Sequence, residues 1–428
     1  MTPPPTGSRP PTLSDLVAVF GRIGLLSFGG PAAQIALMHR ELVERRPWLD
    51  EQGFLRALSL CMLLPGPEAM QLATYAGWRL RGTPGGLIAG LLFVLPGAVV
   101  IAALAALYVQ FGQVPLVQAA FVGVKATVIV VVLQALRRMA GRALTTPRAW
   151  WIAGLAFLGI FLFDLPFPAI IAAAAVWGYA GASASATAPP PLDMSHGRTV
   201  RTAAIWAALW LLPLVLLTTT GAGFLAQVGW FFAWLAVVTF GGAYAVLAYL
   251  TQTVVTDFHW ISTVQMIDAL GLAETTPGPL ILVTQFVAML AGQLQGGPGL
   301  ALAAGAVALW ATFVPCFLWI FVAGPYVEAL AQRPRLSAAL QGITAAVAGV
   351  ILNLSVWFAL HVLFAQVGQL DLGPLSLPWP AWSGLQPLAL ALTALAALAM
   401  LRLGRSLGET LAAGAVLGAL AGWIFGVV

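Results

Sequence analysis

Charge is what this 428-residue chain has least of: 8% of its residues are Asp, Glu, Lys or Arg, against 61% that are hydrophobic. A soluble globular domain carries about a quarter charged residues. With a mean hydropathy of +0.95, the composition places the chain among polytopic membrane proteins. Cysteine is nearly missing too. Cys61 and Cys316 both sit in apolar stretches, with no CxxC and no neighbouring histidine, which excludes a disulfide framework, gives no metal site and leaves them as packing residues. His39, His196, His259 and His361 are scattered and form no legible nucleophile and base pair, so an enzyme is not expected. No GxxxxGK[ST] motif is present, so ATP-driven transport would need another chain. No cofactor is called for.

Lysine is the scarcest charge. Eighteen of the nineteen cationic residues are arginines, most of them clustered between apolar segments. The net charge of +5 therefore reads as membrane topology and not as a nucleic-acid footprint.

What is present is apolar length. Residues 86 to 109 and 299 to 323 carry no charge at all, long enough to cross a hydrocarbon core of about 30 Å. A polar, proline-rich tail over residues 1 to 12 lacks the order of a cleaved signal peptide and reads as disordered.

The strongest pattern is internal. "SFGG" at 27 to 30 returns as "TFGG" at 239 to 242, and "LPGP" at 64 to 67 returns as "TPGP" at 276 to 279, both 212 residues on. Trp48 and Trp260 keep the same register, and Pro96 matches Pro315 at an offset of 219. The chain divides into a first repeat (13 to 180), an Ala/Ser/Pro-rich flexible linker (181 to 200) and a second repeat (201 to 428) that begins with one extra helix near 202 to 219. Arginines follow the first FGG segment and crowd 137 to 148, whereas the matching stretches of the second half, near Asp257 and near Asp371, have none; Arg333 and Arg335 stand in the loop whose counterpart at 110 to 114 is uncharged. Equivalent loops then lie on opposite faces. The expected fold is an all-α polytopic membrane protein of two inverted-topology repeats with broken helices, in about 10 to 13 helical membrane segments.

Non-helical backbone at membrane depth survives only inside protein or along a wet cavity. Pro31 and Pro67 each follow a glycine, the position from which a helix restarts. A restart offers amides and the positive end of a dipole to an anion, and inversion would bring both pairs of restarts toward the midplane. Packing notches are the plainer reading of such glycines; the duplication in register favours a site. Ser27, Phe28, Gly29 and Gly30, Pro65, Gly66 and Pro67, Thr239, Phe240, Gly241 and Gly242, and Thr276, Pro277, Gly278 and Pro279 are thus expected to bind substrate, with Gln71 adding a neutral hydrogen bond. Charges inside apolar sequence are costly and mark pathways: Arg22, Lys125 and the carboxylates Glu68 and Glu274 beside the PGP breaks. Lys125 could hold an oxyanion or pass a proton, or be tied in an ion pair; Arg22 could snorkel; the carboxylates could couple a proton or form salt bridges.

At these motifs the chain resembles a known family. "FGGPAAQIALMHRELVERRPWL", "LLPGPEAMQLATYAGWRLRGTPGGLIAGLLFVLPGA" and "ETTPGPLILVTQF" look like the signatures of the chromate ion transporter (CHR) family in its long two-domain form. The resemblance carries the family's motifs onto Phe28 to Pro31, Pro65 to Glu68, Phe240 to Gly242 and Pro277 to Pro279; Ala243 stands where the second FGG motif would have its proline. It implies a multi-pass inner-membrane carrier of bacteria that exports chromate and so confers resistance. The alternatives are a sulfate or other oxyanion carrier, or an anion channel. The partners implied are chromate or sulfate and the lipid bilayer, with no nucleic acid, and a homodimer is left open.

Overall fold

The computed structural model describes residues 11–181, 196–240, 243–327, 334–373 and 375–425. Most of the tail and linker expected from the sequence, together with Gly241, Gly242 and Arg333, lie outside the described residues. Among the described residues, fifteen α-helices and one β-hairpin form two compact units, each built from both sequence halves: Met1–Ala105, Ser183–Ala243 and Thr276–Ser337 in the first, and Ala106–Ala182, Tyr244–Thr275 and Ala338–Val428 in the second. Ten of the helices are strongly apolar, six long enough to cross a membrane and four shorter. The chain is an all-α, multi-pass membrane protein.

In the first unit, α1 (Leu13–Leu26) starts at a capping box. Thr12 Oγ1 accepts from the Asp15 N–H, and the Asp15 carboxylate accepts from the Thr12 N–H, so two otherwise orphaned donors are satisfied. The helix stops at Ser27, and Gly29 and Gly30 take φ of +85° and +79°, a region open to glycine at little cost. Pro31 then lies in the first turn of α2 (Gly30–His39). A π turn leads to α3 (Glu51–Leu63), capped by Asp50, and the PGP break separates α3 from α4 (Glu68–Phe111).

Helix α4 doubles back. Arg81 and Gly82 leave helical angles, Gly82 with φ +62°. A Cβ added at Gly77 would lie 2.2 Å from Gly85 O, and one at Gly90 would lie 2.5 Å from Thr74 Oγ1. Along a straight helix residues 74 and 90 would stand about 24 Å apart, so the two arms are folded on one another and glycines let them touch.

The first unit takes three helices from the second half: α8 (His196–Thr219), α9 (Gly223–Val238) and α12 (Val283–Ala323). The start of α8 at His196 makes residues 196 to 200, expected as linker, helical. Its indoles tie it to α12: Trp210 Nε1 donates to Ala311 O, Trp310 Nε1 to Trp210 O, and Trp206 stacks on Phe317. Helix α12 repeats the doubling-back of α4 at Gly296 and Gly297, with Gly292 against Leu300 O and Gly305 against Met289. Gly77 and Gly292, Gly82 and Gly297, and Gly90 and Gly305 are each 215 residues apart, so the internal repeat reaches the turn geometry itself.

The second unit is assembled on α5 (Pro115–Ala143), joined from the first half by α6 (Pro147–Phe163) and α7 (Phe167–Ala180). From the second half come α10 (Ala243–Gln252), α11 (Thr263–Glu274), α13 (Pro334–Leu363), α14 (Pro387–Ala397) and α15 (Leu407–Phe425). Small residues set its closest approaches: Gly123 and Gly414 face one another, Gly418 meets Ala119 O, and Gly349 meets Ala153 O. Without a hydrophobic drive between helices in lipid, such close backbone packing is what holds them.

One element goes beyond the all-helical expectation. β1 (Val367–Leu372) pairs antiparallel with β2 (Leu375–Pro380), Leu370 opposite Leu377. Its alternating "VGQLDL" and the two prolines of "LSLPWP" cannot continue a helix, and an isolated hairpin with prolines at one edge suits them.

Candidate functional site

The FGG and PGP breaks meet across the halves inside the first unit. Ser27 O accepts from the Gly278 N–H at 2.8 Å, and Thr239 O accepts from the Gly66 N–H at 2.7 Å. Residues 27 and 239, like 66 and 278, are repeat counterparts 212 apart. Each half thus closes the break of the other, and the two bonds are related by the repeat.

The surroundings explain the residue types. Gly66 has φ +119°, and a Cβ there would press on Gln71 Nε2 and Cys316 Sγ; Gly278 has φ +88° and lies 3.6 Å from the Gly97 Cα by the same measure. A Cβ on Gly97 would come within 2.2 Å of Pro277 O. Gly97 and Cys316 each follow the matched prolines Pro96 and Pro315, so corresponding positions pack on corresponding breaks, one with no side chain and one with a thiol. Pro67, Thr276, Pro277 and Pro279 are buried and Pro65 half-buried.

Gln34, buried in α2, clamps one crossing by donating from Nε2 to Gly278 O at 2.7 Å and to Ser27 O at 3.3 Å. Gln71 donates to Pro65 O and Gln285 to Ala98 O. Since all four acceptors are carbonyls, these amides are fixed with nitrogen inward. Their Oε1 atoms are buried and meet no donor among the described residues.

The hydroxyls expected to reach substrate are engaged locally. Ser27 Oγ donates to Ile23 O and Thr239 Oγ1 to Leu235 O, one turn back in the helices they end. Phe28 is half exposed, Phe240 is half-buried, and Glu68 is half-buried in the first turn of α4, where a carboxylate favours the helix dipole. Arg22 is exposed and its charge acts on Glu41.

The second unit gathers charge instead. Lys125 Nζ in α5 lies 2.9 Å from Asp268 Oδ1 in α11, with side chains 18% and 7% exposed. Tyr108, near the end of α4, donates its hydroxyl to Asp268 Oδ2 at 2.7 Å. Further along α11, Tyr244 of α10 donates to Glu274 Oε1 at 2.8 Å, both residues buried, and the charge of Arg138 in α5 acts on Glu274. Each carboxylate of this helix is thus met by a tyrosine. The sequence reading allowed Lys125 an ion pair and named Glu68 and Glu274 as carboxylates; the partner is Asp268, which it passed over. Its signal was available, an acid inside the apolar "QMIDALGLAE" run. Tyr108, Tyr244, Gln34 and Gln285 carried no local signal, because only long-range packing gives them a role.

A polar cluster lies outside the apolar segments. His39 bridges Glu44 at 3.1 Å and Glu51 at 2.7 Å and stands edge-on to Phe54. The hydrogen bond that His39 donates to Glu51 raises the His39 pKa, against a smaller opposing effect of burial. Burial works to raise Glu41, yet Arg46 and Arg45 outweigh it and hold its carboxyl below the usual range.

Comparison with known proteins returns one family, described as "Chromate transporter", whose model matches residues 14–179 and 226–423. The chain is 32% identical to the chromate transport protein of Cupriavidus metallidurans, over 79% of this chain and 81% of that one. It is 34% identical to the chromate transport protein of Pseudomonas aeruginosa, over 81% of each chain. It is 31% identical to a probable chromate transport protein of Synechococcus elongatus, over 79% of this chain and 83% of that one. No solved structure matches.

Proposed function

Because this chain belongs to the chromate transporter family and is a transport protein, not an enzyme, we propose that it is a secondary carrier that moves chromate out of the cytoplasm and so confers resistance. It lies in the bacterial inner membrane as two inverted repeats. In the first unit the anion's contacts are the broken-helix motifs, where the backbone leaves the helix inside apolar sequence; taken by itself, the second unit offers an anion contact of its own at Lys125, the half-buried and single lysine of the chain. The observation that carries the reading is the reciprocal crossing of Ser27 with Gly278 and Thr239 with Gly66. Broken backbone at membrane depth is maintained where a pathway needs it, and duplication across an inverted pair is what alternating access uses.

The Gly66 and Gly278 amides and the Ser27 and Thr239 hydroxyls are spent in holding the crossing. The carrier therefore moves by remaking these bonds, which frees donors for the anion in one state and not in the other. Proteoliposomes holding the purified protein test the proposal: chromate entry should saturate and be accelerated by chromate or sulfate on the opposite side. Flux that never saturates and ignores the opposite side would make it a channel, and absence of chromate flux under any imposed gradient would refute transport.

A further inference from the structure

We propose that Asp268 couples a proton to the anion: it yields Lys125 to the anion by taking up a proton, so that proton and anion are bound together. The inference rests on the oxyanion-carrier reading, and deepens it at the second unit.

The geometry is that of a competed charge. The two oxygens of Asp268 are not equivalent. Oδ2 receives the Tyr108 hydroxyl at 2.7 Å, whereas Oδ1 faces Lys125 Nζ at 2.9 Å as a charge contact, with no aligned hydrogen-bond donor among the described residues. Oδ1 thus keeps a lone pair that a proton can occupy without displacing Tyr108. Lys125 has three N–H groups, and its side chain is 18% exposed, so the ammonium keeps donors beyond the one turned to Oδ1 to offer an anion.

An anion arriving at the ammonium must displace the carboxylate. A buried carboxylate left without its partner is costly, and protonation removes that cost. The steps balance: a proton passes from water to Oδ1, the Oδ1 contact to Lys125 opens, and the ammonium, still charged, takes an anion oxygen. On release the proton returns to water and the ion pair closes. Among the described residues, Lys125 of α5 and Tyr108 of α4 are the titratable groups that meet Asp268. Glu274, about 9 Å further along α11, is engaged by Tyr244 of α10 and acted on by Arg138 of α5, and the α5 side chains packed on Gly271 between them are Val124 and Val128.

Titration calorimetry of the purified protein with chromate and with sulfate, in buffers of different ionisation enthalpy, reads the proton directly. Wild type should take up about one proton per anion bound, and its affinity should fall about tenfold for each unit of rising pH where Asp268 is ionised. Asp268→Asn should bind without proton uptake and with a flat pH profile; Asp268→Glu should restore both. Anion binding by wild type without proton uptake, or an unchanged proton count in Asp268→Asn, overturns the coupling while leaving the carrier reading intact. Binding of neither anion overturns the carrier reading itself. Should Asp268→Asn fail to fold, wild type and Asp268→Glu decide between these outcomes.

Discussion

The two units solve the same problem with opposite chemistry. In the first, apolar helices are interrupted and the loose backbone groups are closed by neutral partners: carbonyls of the other half, glutamine amides and glycines that leave room. In the second, α5 and α11 bring charge together, an ammonium and two carboxylates held by tyrosines. A neutral crossing can be broken and remade inside a membrane at the cost of a few hydrogen bonds. A buried ion pair cannot be opened without something to neutralise the charge left behind. The first unit is therefore suited to moving and the second to sensing what is bound.

The comparison breaks most severely at Lys125. Lys125→Ala leaves Asp268 buried and unpaired and should destabilise the protein by about 3 kcal/mol, the low end for a buried pair because Lys125 keeps some exposure; thermal unfolding in detergent measures it. Replacing both members with apolar residues should recover most of that loss, which a purely additive pair would not. Next comes Gly278→Ala, which forces a side chain onto φ +88° at a cost of about 2 kcal/mol, with a matching effect for Gly66→Ala if the two crossings are equivalent. Gln34→Leu removes the clamp, taking the side-chain donor from Gly278 O and leaving Ser27 O with the Gly278 N–H alone, for about 1 to 2 kcal/mol. It should alter transport rate more than Gln285→Leu does, because only Gln34 bonds both halves of a crossing.

The smallest effect lies in the polar cluster. The folded pKa of His39 is raised, so its contacts to Glu44 and Glu51 contribute fully below the unfolded value and are lost as pH rises through the folded one. Unfolding temperature should therefore fall slightly from pH 6 toward pH 8, and His39→Gln should flatten that slope. Glu41 has the opposite sign: its lowered pKa makes its contribution present at neutral pH and lost on acidification below the usual carboxylate range.

Much of this was legible in the amino-acid order. The breaks at Gly29, Gly66 and Gly278 could be read because glycine and proline impose local backbone geometry wherever they stand, and the repeat because matched motifs keep their spacing. The doubling-back of α4 was hidden. Gly82 follows Arg79 and Arg81, so the stretch reads as a helix leaving the membrane, and its equivalence with Gly297 appears only at the shifted offset of 215. The β-hairpin was missed because two six-residue strands leave little periodicity in a chain dominated by long apolar runs.

Local backbone preference and hydropathy, both properties of neighbouring residues, were enough to determine a multi-pass helical protein with helix breaks at Gly29, Gly66 and Gly278 and one lysine inside an apolar run. Only the tertiary structure decided that Ser27 serves Gly278 and Thr239 serves Gly66, and that Lys125 answers to Asp268 instead of Glu274. Those pairings join positions more than a hundred residues apart. Hydrogen bonds and ion pairs are chosen by distance and angle after the helices pack, and neither quantity is written in the spacing of the chain.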